Sequence, residues 1–383
     1  MAIKAAIEAF LPEVIGWRQD FHRHPELGFE VHRTAARVAE LLRGFGCDVV
    51  ETGFGRAGVV AVIHGRSQGR GIGLRADMDA LPIFEATGLA HASTVPGRMH
   101  ACGHDGHTAM GLAAAKYLAM SRDFAGRAVM IFQPAEEDGG GARAMIADGL
   151  MDRFGIDEVY GLHNIPGLDV GAFATRPGPI MAAADMFRLF LTGRGGHAAQ
   201  PHLALDTTMI AGQVLVALQS IVARNVDPLK PAVLTVATLA TEGTGACVIP
   251  GRVVMTGTTR SFELQVQDLL EARLTEVVTG IAAAHGGAAE VEYLRDAPAT
   301  VNAPAQTGYA LAVAQGISAA VDGDVAPVMV SEDFSDMLNA RPGAFMFIGN
   351  GNSALLHHPE YEFNDAAIPY GAAWLAGMVV ARG

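Results

Sequence analysis

The chain has 383 residues, half of them hydrophobic, and a formal net charge of −13 at pH 7. This length favours two domains. The net negative charge argues against a nucleic-acid partner, because no cluster of basic residues offsets it. Three cysteines (Cys47, Cys102 and Cys247) do not make a disulfide framework, so we expect a reducing compartment.

The first 20 residues contain charged side chains at Lys4, Glu8, Glu13 and Arg18. They lack the long apolar run of a signal peptide. We also identify no uncharged apolar segment elsewhere that reaches the length of a membrane-spanning helix. The sequence therefore predicts a cytoplasmic protein without a membrane partner.

Helical and strand-like segments alternate over the first 162 residues. Apolar spacing predicts helices over residues 3–21, 34–45, 108–120 and 142–147. Short apolar runs predict buried strands over residues 59–63, 71–75, 128–132 and 158–162. Such alternation predicts an α/β domain with a mostly parallel sheet flanked by helices.

The pattern changes between about residues 179 and 293. Strands are predicted at 187–191, 232–239, 252–259 and near 291, with helices over 207–224 and 266–284. This strand–helix–strand–strand–helix–strand order is the ferredoxin-like pattern and predicts an inserted α+β domain. The rest returns to α/β, with helices over 305–321 and 366–381 around a strand at 344–348.

Polar side chains follow several predicted strands of the first part. Asp77, Asp79, Glu136, Glu137 and His163 each come just after such a strand. Ligands of open α/β sheets bind beyond the carboxyl ends of the strands. We therefore expect one site to be built from these distant segments.

A dense cluster of metal-binding side-chain types lies between His100 and His107. It contains Cys102, His104 and Asp105 as well as those two histidines. A thiolate and a neutral imidazole suit Zn2+ or a similar transition metal better than Ca2+ or Mg2+. Taken alone, the cluster is also compatible with a histidine-rich surface loop.

Five motifs in order make the chain resemble the M20 metallopeptidase family, in its amidohydrolase branch of hippurate hydrolases, N-acyl-amino-acid amidohydrolases and auxin-conjugate hydrolases. They are Arg75-Ala-Asp-Met-Asp-Ala-Leu-Pro82, His100-Ala-Cys-Gly-His-Asp105, Phe132-Gln-Pro-Ala-Glu-Glu137, Gly195-Gly-His-Ala-Ala199 and Ser331-Glu-Asp-Phe334. The resemblance extends from about Trp17 to near the C-terminus. It implies a discontinuous catalytic metal-binding domain (residues 1–178 and 294–383) and an inserted lid and dimerisation domain (residues 179–293).

The resemblance also implies a dinuclear site with two divalent metal ions per chain, Zn, Mn, Co or Ni. Cys102 would bridge the metals, and the other ligands would be His104, Glu137, His163 and His357. The family pattern places the last ligand two residues before Pro359, which selects His357 over His358. Glu136 would be the general base, and Asp79 would orient a ligand.

In the inserted domain, the resemblance implies that His197 reaches the active site of a partner subunit and stabilises the developing oxyanion. A homodimer is therefore expected, with a dimer of dimers as the larger alternative. Asn225 and Arg260 are further candidates for binding a substrate carboxylate.

Each assignment has a structural alternative. Cys102 and His163 could be ordinary core residues, and Glu136 with Glu137 could form a solvated turn. His22, His24, His100 and His107 are interpreted as packing or orienting residues rather than ligands.

The predicted function is metal-dependent hydrolysis of the amide bond of small N-acyl amino acids by an activated water. A dipeptidase or an N-acetyl or N-succinyl deacylase of the wider family is the alternative enzyme. Those branches usually have Asp at the position of Cys102. The non-enzyme alternative is a catalytically silent metal-binding dimerisation module, which would require a missing base or ligand.

Overall fold

The computed structural model describes residues 2–137, 140–243 and 245–383. Its α-helices are α1 (Ala2–Glu8), α2 (Leu11–Arg23), α3 (His32–Gly44), α4 (His104–Ser121), α5 (Gly141–Ala147), α6 (Leu150–Arg153), α7 (Thr207–Arg224), α8 (Leu264–Ala284), α9 (Pro304–Gln315), α10 (Phe334–Ala340) and α11 (Ile368–Arg382). Its strands are β1 (Val49–Phe54), β2 (Gly58–His64), β3 (Ser67–Asp77), β4 (Ala125–Gln133), β5 (Glu158–Pro166), β6 (Phe173–Ala174), β7 (Gly178–Met181), β8 (Ala183–Thr192), β9 (Gly196–His197), β10 (Ala232–Thr241), β11 (Val248–Ile249), β12 (Arg252–Ser261), β13 (Ala288–Ala297), β14 (Thr300–Asn302), β15 (Val321–Asp322) and β16 (Gly343–Gly351).

The first unit contains a sheet with the strand order β1-β2-β4-β3-β5-β16-β6-β15. Its four central strands, β4, β3, β5 and β16, are mutually parallel. Successive residues of β2 and β4, which point to opposite faces of the sheet, are both buried, for example Val59 and Val60, or Met130 and Ile131. A parallel sheet needs such cover on both sides. The predicted α/β class is confirmed.

The helix α4 lies in the centre of the largest apolar cluster of this unit. Residues from His104 to Ala115 along α4 are buried, and the helix packs against α2 and α11. Because α4 is buried on all sides from His104 to Ala115, this part of the helix lies inside the domain. Its first turn is thereby fixed relative to the sheet.

The second unit is a four-stranded antiparallel sheet with the order β10-β12-β8-β13 and the helices α7 and α8. Along the chain its elements follow the predicted strand–helix–strand–strand–helix–strand order. Apolar residues of β8, α7 and α8, such as Leu189, Val214 and Leu274, form a separate core.

The contacts divide the chain at slightly different points from the predicted ones. The first unit comprises Met1–Ile180, Thr300–Ala326 and Asp333–Gly383, and the second comprises Met181–Ala299 and Pro327–Glu332. Residues 294–299 belong to the second unit because β13 continues to Ala297 beside β8. The short segment 327–332 joins it because the Ala182 N–H donates to the carbonyls of Val328 and Val330.

Several predicted element bounds were wrong. The helix predicted over residues 3–21 is two helices, with the second beginning at Leu11 and carrying Pro12 in its first turn. The helix predicted to reach Val321 ends at Gln315, and Val321 instead pairs with Phe173 in the sheet. Strand β1 was not predicted.

Among the described residues, one helix, α7, has the length and mean hydropathy (1.2) of a membrane span, and 33% of it is buried. The sequence analysis excluded only uncharged apolar segments of that length, and this one includes the charged Arg224. Ile210, Val214, Leu218 and Ile221 of α7 face the core of the second unit. This one-sided burial is the pattern of an amphipathic helix packed on a sheet.

Candidate metal centre

The carboxyl ends of adjacent parallel strands position the candidate site. β3 ends at Asp77, β4 ends at Gln133 just before Glu136, and His163 lies in the second half of β5. Cys102 precedes α4, whose first residue is His104. Because these strands are neighbours in the sheet, residues far apart in sequence meet at one edge, as the sequence predicted.

Six predicted site residues lie together at this edge. The ligand atoms of Cys102, His104 and His163 are all within 4.8 Å of one another. The same holds for two further groups, Cys102 with Glu137 and His357, and His104 with Glu136 and Glu137. Since the groups share members, they form one continuous cluster.

The distances inside this cluster are suited to shared coordination. Cys102 Sγ is 3.4 Å from His163 Nε2, and His357 Nε2 is 3.4 Å from Glu137 Oε2. Both His104 Nε2 and Glu137 Oε1 are buried without a hydrogen-bond partner among the described residues, and they are 3.9 Å apart. Buried polar atoms without a partner are costly, so their convergence fits a bound cation.

The imidazoles of His104 and His163 are oriented by backbone carbonyls. His104 Nδ1 donates to the carbonyl of Asp79 (2.8 Å), and His163 Nδ1 donates to the carbonyl of Asn164 (2.7 Å). Nδ1 of each ring is used in this bond, so Nε2 is the nitrogen that faces the cluster. Metal-binding histidines are commonly held in this way.

The electrostatics of the cluster also favour a cation. Burial raises the pKa of the Cys102 thiol well above its usual value, and the Glu137 carboxylate raises it further. Burial lowers the pKa of His163 far below its usual value, and His107 adds to this, so the imidazole is neutral. A divalent ion would offset the cost of the thiolate and would bind the neutral imidazole.

Asp79 fixes the turn that contains both glutamates. Its Oδ1 accepts from the Glu136 amide (3.0 Å), and its Oδ2 accepts from the Glu137 amide (3.1 Å). The carboxylate also lies 3.6 Å from His104 Nδ1. Asp79 therefore connects the turn with Glu136 and Glu137 to His104 at the start of α4.

His107 and Asp77 also belong to a group of possible metal ligands, together with His104. His107 Nδ1 donates to Asp77 Oδ1 (2.7 Å), while Nε2 accepts from the amide of Asn164 (3.0 Å). Both ring nitrogens are thus used in hydrogen bonds. This arrangement agrees with the interpretation of His107 as an orienting residue.

Sequence reasoning did not identify Asn164, which connects three segments of the site. Its Nδ2 donates to the carbonyl of Cys102 (2.7 Å), and its Oδ1 accepts from the hydroxyl of the buried Tyr361 (2.6 Å). Its own backbone follows His163. The sequence offered one signal for Asn164: it directly follows His163, a candidate ligand, near the end of a predicted strand.

Three predicted site residues lie in the second unit. His197 is exposed on β9, and its Nδ1 accepts from the amide of Ala199 (3.1 Å). Asn225 caps α7 and accepts from Arg273. The Arg260 guanidinium donates to the carbonyl of the adjacent Thr259 (2.9 Å), within its own strand. The six-residue cluster lies in the first unit, and the roles of these three residues stay predictions.

A largely buried charge network lies next to the cluster and joins Arg18 and His22 of α2 to Asp105 of α4, Glu85 and Asp365. His22 Nδ1 is 2.9 Å from Asp105 Oδ2, and its Nε2 is 3.3 Å from Glu85 Oε1. Arg18 contacts both Asp105 and Asp365. Burial lowers the pKa of His22, but attraction and hydrogen bonding by Asp105 and Glu85 outweigh it and raise this pKa to about 9. His22 is therefore a structural cation.

Comparison with known proteins gives consistent matches over nearly the whole chain. The family model described as Peptidase family M20/M25/M40 matches residues 73–381. An N-acetyl-L-cysteine deacetylase of Bacillus subtilis (strain 168) is 42% identical, over 93% of this chain and 85% of the relative. A hippurate hydrolase of Campylobacter jejuni is 38% identical, over 97% and 98% respectively. A solved Bacillus subtilis dinuclear metal-binding peptidase of the M20 family has a TM-score of 0.85 at 32% identity, covering 97% and 98% of the two chains.

We expect Gly103→Ala to disrupt the metal centre. Gly103 has a φ of +84°, and an added Cβ would lie 2.4 Å from Asn164 Nδ2 and 2.5 Å from the Tyr361 hydroxyl. The matched control is Gly149→Ala, with a φ of +86° and no atom within 4 Å of the added Cβ. Only Gly103→Ala should lower metal content, and it should cost about 1–3 kcal/mol more in stability. Equal unfolding midpoints and full metal content would contradict this.

We expect the stabilisation by His22 to be lost at alkaline pH. Because folding raises its pKa from 6.5 to about 9, its contribution is complete below pH 6.5 and disappears as the pH rises through about 9. By linkage it amounts to roughly 3 kcal/mol. Urea midpoints of the metal-saturated protein and of His22→Gln should converge between pH 7 and 10. A difference that does not change with pH would mean that the imidazole is neutral in the fold.

Proposed function

The chain belongs to peptidase family M20/M25/M40, in its amidohydrolase branch, and we propose that it hydrolyses the amide bond of N-acyl amino acids by a metal-dependent reaction. The observation that carries the proposal is the cluster in which two buried atoms without partners, His104 Nε2 and Glu137 Oε1, converge. The base and all predicted ligands are present, so the enzymatic reading is preferred over a silent binding module.

The proposed metal ligands are Cys102, His104, Glu137, His163 and His357. A thiol and three imidazoles with a carboxylate favour two transition-metal ions, such as Zn, Mn, Co or Ni, over Ca2+ or Mg2+. When bound, such ions polarise a carbonyl oxygen and lower the pKa of water towards 7. The bridging role of Cys102 is supported by its membership of groups with His163 and with His357.

The two glutamates are assigned different roles by their contacts. Glu137 lies against His357, whose hydrogen bond helps lower the pKa of Glu137 although burial opposes this. It is therefore the ligand. The Glu136 carboxylate lies 3.9 Å from His104 Nε2, and its backbone is fixed by Asp79. We assign it to accept a proton from the attacking water and to deliver it to the leaving nitrogen.

The tautomer of His197 supports a role at the carbonyl oxygen of the substrate. Since Nδ1 accepts the Ala199 N–H, the neutral ring has its proton on Nε2. That N–H is suited to stabilising a developing oxyanion. Asn225 and Arg260 remain candidates for the substrate carboxylate.

We further propose a cytoplasmic homodimer formed through the second unit, with a dimer of dimers as the larger form. Val216 on α7 is 73% exposed, and Met209 and Leu239 are also exposed. In addition, β10 is an edge strand of its sheet. Exposed apolar residues beside an open strand edge are typical of a surface that a second copy covers.

Glu136→Gln tests the proposed activity. Wild-type enzyme refilled with Mn2+, Zn2+, Co2+ or Ni2+ should hydrolyse members of a panel of N-acetyl, N-benzoyl and indole-acyl amino acids. The variant should lose about 10²–10⁴-fold in kcat because it lacks the base. It should nevertheless keep its metals, because no ligand is removed.

The matched control is Glu137→Gln, which should lose metal as well as activity. Metal analysis of both purified variants distinguishes the two glutamates. If Glu136→Gln retained more than half of the activity, or lost its metals, the assigned roles would be wrong.

A subunit-mixing experiment tests the role of His197 across the dimer. If each His197 serves the partner's centre, mixed Glu136→Gln and His197→Ala subunits contain one site in which both residues are intact. Two inactive variants should then recover activity on mixing, in at most about half of the sites of a heterodimer. Absence of recovery, with subunit exchange confirmed, would place His197 at its own centre or outside catalysis.

A further inference from the structure

A short segment, residues 26–28, is hydrogen-bonded to two segments of the metal centre. The carbonyl of Glu26 accepts from the amide of Ala80 (2.8 Å), and Leu27 forms a parallel bridge with Ala80. Two residues further on, the carbonyl of Gly28 accepts from the amide of Ala135 (3.1 Å). Segment 26–28 therefore fixes the distance between these two parts of the chain.

Asp79 completes a closed ring of contacts with segment 26–28. Ala80 directly follows Asp79, whose Oδ1 accepts from the amide of Glu136 (3.0 Å). Ala135, which is bonded to segment 26–28, directly precedes Glu136. The backbone is therefore held by hydrogen bonds on both sides of the peptide bond between Ala135 and Glu136.

Ala135 adopts a backbone conformation that its side chain disfavours. Its φ is +53°, in the left-handed region where a Cβ comes too close to the following carbonyl oxygen. Its amide donates to Gly28, and its carbonyl accepts from the amide of Gly141 (3.2 Å). Such a conformation persists only where the surrounding contacts impose it. These contacts therefore determine the direction in which the chain presents Glu136.

The side chain of Glu26 attaches segment 26–28 to the start of α3. Its Oε1 accepts from the amide of Arg33 (3.0 Å), and its Oε2 accepts from the amide of Thr34 (2.8 Å). These are the second and third residues of α3, whose own N-cap residue makes no side-chain hydrogen bond to the helix. Amides of a first helical turn have no partner within the helix, so the carboxylate is a strong point of attachment.

We propose that Glu26 is a positioning residue for the general base. Through segment 26–28 it holds Ala135 in the left-handed conformation, which keeps the Glu136 carboxylate beside His104, at 3.9 Å from Nε2. The inference rests on the proposed function. With metals at saturation, Glu137 is held as a ligand, whereas Glu136 depends on the backbone at Ala135. Loss of Glu26 should therefore lower kcat without changing KM or metal content.

The first test combines Glu26→Ala with Ala135→Gly. At saturating metal, Glu26→Ala should lower kcat about fivefold, because Ala135 then leaves the left-handed region in most molecules. Glycine adopts positive φ without a steric penalty, so the double variant should recover to within about twofold of the wild type. A residue that only stabilised the fold would not be rescued by a glycine at this position.

The matched control is Asp206→Ala. Like Glu26, Asp206 accepts from two amides in the first turn of a helix, those of Thr208 (2.9 Å) and Met209 (3.3 Å) in α7. It lies in the second unit, so its loss should leave kcat unchanged. Glu26→Gln keeps one acceptor oxygen and should show a smaller loss of kcat, about twofold. This variant tests the role if Glu26→Ala is too unstable to purify.

Amide hydrogen exchange of the metal-free protein gives a readout that does not depend on activity. The amides of Glu136 and Glu137 both donate to Asp79. They should exchange about fivefold faster in Glu26→Ala than in the wild type, because the turn opens more often. In Asp206→Ala they should exchange at the wild-type rate.

Several outcomes would overturn the positioning role. They are an unchanged kcat in Glu26→Ala, an equal loss in Asp206→Ala, no recovery on adding Ala135→Gly, or unchanged exchange at Glu136 and Glu137. A wild-type enzyme that cleaves none of the N-acyl amino acids would instead overturn the proposed function. The exchange rates would then still report whether Glu26 holds the turn, so the two failures are distinguishable.

Discussion

Desolvation of charged groups at the carboxyl edge of the parallel sheet governs the architecture of the first unit. Arg75 and Asp77 on β3 are almost fully buried, as is Asp333 before α10. Arg75 is paired with both carboxylates, and the side chain of Gln133 donates to Asp333. Since an unpaired buried charge is strongly destabilising, these groups must be paired before the edge can form. The turn with Glu136 and Glu137 follows Gln133 directly.

The metal centre differs from this edge, because two of its candidate ligand atoms converge without a hydrogen bond between them. Among the residues that the structure describes, His104 Nε2 and Glu137 Oε1 have no hydrogen-bond partner, while the surrounding Asp77, His107 and Asn164 have theirs. The surrounding side chains therefore hold the candidate ligand atoms at fixed positions, where two of them make no hydrogen bond to the described residues. Such preorganisation is what a site with exchangeable ions requires.

Much of the fold, and the residues of the metal-ligand cluster, could be predicted from the sequence. Hydrophobic periodicity predicted α7 at its observed bounds, and the family resemblance predicted the six residues that meet at the sheet edge. Periodicity could not place the break before α2, because apolar spacing continues through it. Neither could it find the contact between Tyr361 and Asn164, which are 197 positions apart. Pairings of that kind depend on the completed tertiary structure.

The long sequence separation of the site segments has a consequence for biosynthesis. Cys102 and His163 are available early in synthesis, but the segment with Tyr361 and His357 leaves the ribosome almost last. Long-range parallel strand pairing is slow because loop closure must precede its contacts. The complete set of candidate ligands can therefore come together only after nearly the whole chain has been synthesised and β16 has paired with β5.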